Sequence, residues 1–117
     1  MSNQQPEKQV GGAADVIGDI TPKLASLTDD VLFADVWNRP GLNPRDRSLI
    51  TVASLITGGN VAQLGGHLKR ALANGVTADE LVEVVTHLAF YAEWPKAMSA
   101  AAVLRDATAD VDGGARA

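Results

Sequence analysis

The feature that most constrains this chain is a regular series of helix stops and starts between Asn43 and Pro95. Asn43-Pro44 sets a capping side chain before a proline at the first helical position, where a missing N–H costs nothing. The segment that follows ends at Gly58-Gly59, because glycine enters the left-handed region without a Cβ penalty. Asn60 reads as the next N-cap, with Gln63 three residues on completing a capping box. Asn74-Gly75 is a C-cap pair, and Thr77-x-x-Glu80 is a second capping box. Trp94-Pro95 then interrupts the helix opened at Ala78 and starts a last one. Such punctuation leaves room for helices and little else.

The spacing of apolar residues agrees. Val16, Ile17, Ile20, Leu24 and Leu27 predict a helix from Ala14 to about Leu27, which Thr21-Pro22 is able to split in two. Thr28, followed by Asp29-Asp30, reads as an N-cap for a short helix from Val31 to Trp37. Further helices are expected from Pro44 to Thr57, to Ala73, from Ala78 to about Glu93, and from Pro95 to about Asp106. The β-branched run after Ser48 also suits a strand, but its length and cap favour a buried helix. The fold class is therefore all-α: a domain of about six helices over residues 13–107, with flexible tails at 1–12 and 108–117.

Aromatic residues make up only 4% of the chain, so small aliphatic side chains must build the core of this 117-residue protein. A small domain with such a core is short of buried area, and self-association is a common remedy. The helix from Ala78 is apolar on more than one side, through Leu81, Val82, Val84, Val85, Leu88, Ala89 and Phe90. A helix of that kind expects burial all round, which points to a homo-oligomer.

Other classes are disfavoured. A net charge of −4 with scattered basic residues argues against nucleic acid as partner. The chain has no cysteine, which excludes disulfides, thiolate metal sites and thiol redox cycles. No apolar run approaches the roughly 18 residues that span a bilayer, and the polar N-terminus lacks a signal-peptide core. The expectation is a cytoplasmic protein without a membrane partner.

Two phrases, NPRDRSLITVASLITGG and HLKRALANGVTADELVEVVTHLAFYAEWPKAMSA, resemble the carboxymuconolactone decarboxylase family. The resemblance runs from Leu32 to Leu104. It implies an alkylhydroperoxidase-like all-helical fold that assembles as a homotrimer or homohexamer. One branch of the family decarboxylates 4-carboxymuconolactone in aromatic-compound catabolism, without a cofactor. Another branch uses Cys-x-x-Cys-x-x-x-His for thiol redox chemistry. Counted back from His67, the cysteine positions of that motif fall on Asn60 and Gln63, so peroxidase activity is disfavoured. The decarboxylase branch generally carries an acidic residue where this chain has Gln63.

The resemblance places the shared histidine at His67. By spacing alone, His67 beside Leu64, Leu68 and Ala71 reads as a core or interface histidine. As a functional group, an imidazole titrating near pH 7 can deliver or accept a proton, and His67 is a candidate for the acid that reprotonates the anion left when carbon dioxide departs. Gln63, one turn earlier, either caps its helix or touches a substrate oxygen. Arg47 is either a surface charge or the anchor for the carboxylate of a small-molecule substrate. Glu80, Glu83, His87 and Tyr91 lie along one helix edge, with Glu83 and His87 spaced to pair. His87 and Tyr91 are secondary substrate-binding candidates. Trp94 either walls a pocket or packs in a subunit contact. His67 and His87 lie on different helices with no metal-ligand spacing, so no metal is expected. Two readings stand: a lyase acting on a small carboxylated lactone or related oxoacid, and a non-catalytic oligomeric binder of such a metabolite.

Overall fold

The computed structural model of the protein describes residues 12–112. Among them are six α-helices and two irregular helical turns. They form two compact units, one ending at Asn43 and the other beginning at Pro44.

The first unit comprises α1 (Ala13–Ile17), α2 (Pro22–Ser26), a π-helical turn (Leu27–Phe33) and a 3-10 turn (Val36–Asn38). The predicted helix over this region is broken at Thr21-Pro22, and Pro22 takes the first turn of α2. Thr28 does not cap a new helix. The helical run continues through it, so its hydroxyl donates back to the Leu24 carbonyl at 2.8 Å. Asp29 supplies the cap instead, and for α1: its carboxylate accepts from the backbone N–H groups of Ala13 and Ala14, each at 2.9 Å. Phe33 and Trp37 stack at 5.8 Å, one helical turn apart.

The second unit contains α3 (Pro44–Gly58), α4 (Val61–Ala73), α5 (Ala78–Tyr91) and α6 (Trp94–Asp112). The start of α3 meets the end of α4 where the Asn74 amide donates to the Ser48 hydroxyl at 3.0 Å. The first turn of α6 meets the last turn of α3 through Lys96 Nζ on the Thr57 carbonyl, at 2.9 Å. Arg45 in α3 pairs with Glu80 in α5, which brings the N-termini of those two helices together. These ties set the helices up, down, up, down. The core between them is aliphatic, from Val52 and Ile56 on α3, Leu64 and Leu68 on α4, Leu81 and Val85 on α5, and Ala97, Ala100 and Leu104 on α6. Alanine on α6 lets its backbone approach its neighbours closely, the small-residue core that the composition implies.

Both glycine stops close as Schellman motifs. At the end of α3, Gly59 (φ +71°) donates to the Ile56 carbonyl, and the Asn60 N–H donates to Leu55. At the end of α4, Gly75 (φ +100°) donates to Leu72, and Val76 to Ala71. Val76 is buried there, the apolar contact that accompanies this motif.

This geometry corrects the first predicted capping box. Asn60 is spent on ending α3, and its φ of −89° and ψ of 63° lie outside the extended region a capping residue adopts. Its side chain makes no cap bond, so no capping box joins it to Gln63. The second box does form. Glu80 N–H donates to Thr77 Oγ1 at 3.0 Å, and Thr77 N–H donates to the Glu80 carboxylate at 2.9 Å.

Two expectations about extent also change. Helix α6 runs on to Asp112, and Thr108, expected in a tail, is buried with its hydroxyl donating to Leu104 O at 2.8 Å. The packing of Ala107 and Thr108 carries the helix past the acidic, small-residue sequence. Within the single chain α3 and α5 each leave one face open, with Ile50 58% exposed and Phe90 76% exposed. The tails expected at 1–12 and 108–117 otherwise fall at residues 1–11 and 113–117, outside the described residues. Among the described residues, no helix is long and apolar enough to cross a membrane.

Candidate functional site

His67 sits at the middle of α4, on the edge of the face that buries Leu64, Leu68 and Ala71. The Schellman turn before α4 fixes where that helix begins, and the apolar stripe fixes its rotation. Together they leave position 67 half-buried. The Nδ1 atom is buried, with no hydrogen bond to that atom among the described residues. A second ring proton would therefore bring charge into poorly solvated surroundings. Burial is the larger cause that holds the imidazole below its ordinary proton affinity, and the positive charge of Arg70 adds to it. His67 is thus biased toward its neutral form, as a base or proton carrier near neutral pH requires.

Arg70 lies one turn after His67 on the same helix. It is half-buried, and burial lowers its own proton affinity. Attention to sequence alone settled on Arg47 as the cation and passed over Arg70. The signal was available, since residues three apart on a helix are neighbours.

Arg47 occupies the first turn of α3 and is half-buried. The Asn74–Ser48 bond sets that turn level with the end of α4. His67 is two turns back from there, roughly 10 Å at 1.5 Å of rise per residue. Arg47 and His67 are therefore offset along the helix pair, not side by side. Arg45, beside it, is committed to Glu80 and lies 3.8 Å from Asp46. The Glu80 carboxyl is held below its ordinary range chiefly by the Thr77 backbone N–H, then by Arg45. That network ties α3 to α5.

Gln63 is exposed one turn before His67, on the same edge of α4 and free of the capping duty expected of it. His87 and Tyr91 come together elsewhere, on the exposed end of α5, where their rings stack at 4.8 Å. The Glu83–His87 ion pair that their spacing suggested does not form; among the described residues the His87 imidazole stacks on Tyr91 instead. Trp94 is 58% exposed at the start of α6 and meets Phe90 edge-on at 5.5 Å. The structure therefore gathers Gln63, His67 and Arg70 on one helix edge, and His87, Phe90, Tyr91 and Trp94 in an exposed aromatic group at the α5–α6 turn.

A groove of about 490 Å³ runs between α5 and α6, lined by Val82, Val85, Thr86, Ala101, Leu104, Arg105 and Thr108. No candidate residue named from the sequence lines it. Among the described residues, no group of three or more His, Cys, Asp or Glu side chains is arranged to hold a metal ion.

The element that carries His67 lies inside a longer stretch with a recognisable pattern. A sequence model of the carboxymuconolactone decarboxylase family matches residues 22–106. The chain belongs to that family. Among its relatives is a 4-carboxymuconolactone decarboxylase from Acinetobacter baylyi, 35% identical over 94 residues, spanning 80% of this chain and 70% of the relative. A nitrosuccinic acid decarboxylase from Metarhizium robertsii is 40% identical over 85 residues, 73% of this chain and 59% of that protein. An uncharacterized 15.0 kDa protein from Paracoccus denitrificans is 25% identical over 95 residues, 80% of this chain and 71% of its own length. The family match runs from the start of α2 to Asp106 in α6 and includes both Schellman turns, the Thr77 capping box and His67.

Proposed function

We propose that this protein is a cofactor-independent decarboxylase of a small dicarboxylate, with His67 transferring the proton that completes the reaction. The observation that carries this reading is a half-buried imidazole on the edge of the apolar face of α4, at the position where the resemblance places the family's shared histidine. Support comes from similarity to two proteins named for decarboxylation.

The two substrates in those names share a chemistry. Each is a dicarboxylate that keeps one carboxyl group. Each loses the other from a carbon whose electron pair can move onto oxygen, through the conjugated lactone in one and the nitro group in the other. The bond to the departing carboxylate breaks, carbon dioxide leaves, and the delocalised anion takes a proton at carbon. His67 supplies that proton and reloads from solvent. Arg47 serves as an anchor for a substrate carboxylate, and Gln63 hydrogen-bonds a substrate oxygen.

The apolar surface left open at Ile50, Phe90, Tyr91 and Trp94 supports assembly with further copies, as a homotrimer or homohexamer. Under this reading Trp94, with His87 and Tyr91, belongs to a subunit contact. Sedimentation that returns a well-folded monomer at micromolar concentration would refute the assembly.

The activity is tested by separate assays of carbon dioxide release from 4-carboxymuconolactone and nitrosuccinate, with His67→Ala as control. Turnover of at least one, reduced by about 10²- to 10⁴-fold in the variant, is the expected result. No turnover of either, or turnover unchanged in His67→Ala, defeats the proposal. Ligand-induced thermal stabilisation without turnover would favour the non-catalytic binder.

A further inference from the structure

The groove between α5 and α6 has no part in the proton chemistry proposed for His67, since no residue of α4 lines it. Its floor is made by three buried side chains, Val85 on α5 and Leu104 and Thr108 on α6. Val82 and Thr86 border it on one side and Ala101 and Arg105 on the other, all four exposed. On each helix these residues follow three- and four-residue spacing, so each set forms one stripe. Ala101 is the small member of its stripe, and the bulk it lacks leaves space open. The volume of about 490 Å³ lies within the roughly 300–1,000 Å³ of small-molecule sites.

The polar groups of the lining narrow what it accepts. Thr86 Oγ1 donates to the Val82 carbonyl at 2.9 Å, and Thr108 Oγ1 to the Leu104 carbonyl at 2.8 Å. A hydroxyl has one hydrogen, so neither threonine has a donor left to offer. The guanidinium of Arg105 supplies the donors instead. Its own helix provides no counter-ion: the positions three and four residues away are Ala101, Ala102, Thr108 and Ala109. Asp106, adjacent in sequence, does not share its face. Across the groove Val82, Val85 and Thr86 are uncharged, and among the described residues no ion pair reaches the Arg105 side chain. In a chain of net charge −4, a cation therefore borders an apolar groove with no acid against it.

We propose that this groove binds a small monocarboxylate with a compact apolar body, the body over Val82, Val85 and Leu104 and the carboxylate on Arg105. The planar fork of arginine matches a carboxylate through two parallel hydrogen bonds. One cation and no further donor suit a single negative charge, not the two of a dicarboxylate. The aliphatic floor takes up the rest of the molecule by removing its apolar surface from water. The site is independent of the decarboxylase reading.

The test is calorimetric titration of the full-length protein with three probes. Cyclohexanecarboxylate has the apolar body and the charge, cyclohexanecarboxamide has the body alone, and succinate has charge without the body. The wild type should bind cyclohexanecarboxylate saturably, one per chain, and about 10-fold or more tighter than the amide, as expected for a hydrogen bond to a charged group. Succinate should not displace it. Arg105→Gln should weaken the acid by the same factor and leave the amide unchanged, while Arg105→Lys should recover part of the difference. Ala101→Leu should fill the groove and abolish binding of both. Both substituted side chains are exposed, so thermal melting of the unliganded variants should match the wild type.

Absence of saturable binding of cyclohexanecarboxylate to the wild type overturns the proposal. So does equal affinity for acid and amide, displacement by succinate, or binding that persists in Ala101→Leu. A second copy of the chain is the other possible occupant. Sedimentation in which Arg105→Gln or Ala101→Leu dissociates an assembly, with no carboxylate bound by the wild type, would assign the groove to a subunit contact and overturn the proposal as well.

Discussion

Replacing Leu68 by alanine probes the core and the histidine together. Leu68 is fully buried, follows His67 directly, and lies within the cluster that joins α4 to α3 and α6. Truncation removes three carbon atoms from a site with no exposed surface. Burying a whole leucine side chain is worth about 1.5–3 kcal/mol by transfer, and the residual cavity adds about 24 cal/mol per Å³. The neighbours are mostly helix-borne aliphatics held between capped helices, so collapse into the space is limited. A loss of about 3–4 kcal/mol is expected, in the middle of the range for such truncations.

Against a total stability of about 5–15 kcal/mol, that is a large fraction, readable as a lower urea midpoint at fixed protein concentration. Gln63→Ala, on the exposed edge of the same helix, is the control and should change stability by less than about 0.5 kcal/mol. Leu68→Ala should also loosen the apolar floor beside the imidazole. Weaker desolvation would then raise the proton affinity of His67, visible in its NMR titration. A loss below about 1 kcal/mol with an unchanged His67 titration would show that α4 is not rotated as described.

Two further outcomes follow from the structure. Thr77→Ala removes the hydroxyl that accepts the Glu80 N–H and should cost about 1 kcal/mol; Thr77→Ser should recover most of it, and equal losses in both would place the effect outside the cap. Stability should also fall on acidification in two stages. His67 binds its proton less readily folded than unfolded, so the unfolded chain takes up protons first. Stability then declines as pH drops below about 6.5, the unfolded value. Glu80 is also held low, so its contribution is present above the ordinary carboxyl range and is lost as pH falls through its folded value. Urea midpoints measured against pH should show His67→Gln flattening the upper limb and Glu80→Gln the lower; limbs unchanged in both variants would contradict these directions.

The candidate site was legible in part. His67 stood out through its place in a long resemblance, and its half-buried position on the edge of an apolar stripe followed from helical spacing. Arg47 stood out because it borders an apolar run, whereas its offset from His67 along the helix pair is set by the antiparallel pairing of α3 and α4. Arg45 has no local sign of a partner in the sequence; the packing of α3 beside α5 gives it Glu80. Those are distances between helices, and no local pattern contains them.

Sequence alone determined the all-α class, the family, the break at Pro22, the two glycine stops and the Thr77–Glu80 box. Each of these is set by side chains and backbone groups within a few residues of one another, apart from the family, which is read from the pattern as a whole. Tertiary structure decided the rest. Asn60 looked like a helix start, but its N–H is used to end α3. Thr28 looked like a cap, but the chain stays helical through it. Thr108 looked like tail, but packing beside Ala107 holds it in the core. In each case the local preference was weak enough for burial or backbone hydrogen bonding to override it. The apolar faces of α3 and α5 show the same division: their composition is written in the chain, whereas what covers them depends on which surfaces meet.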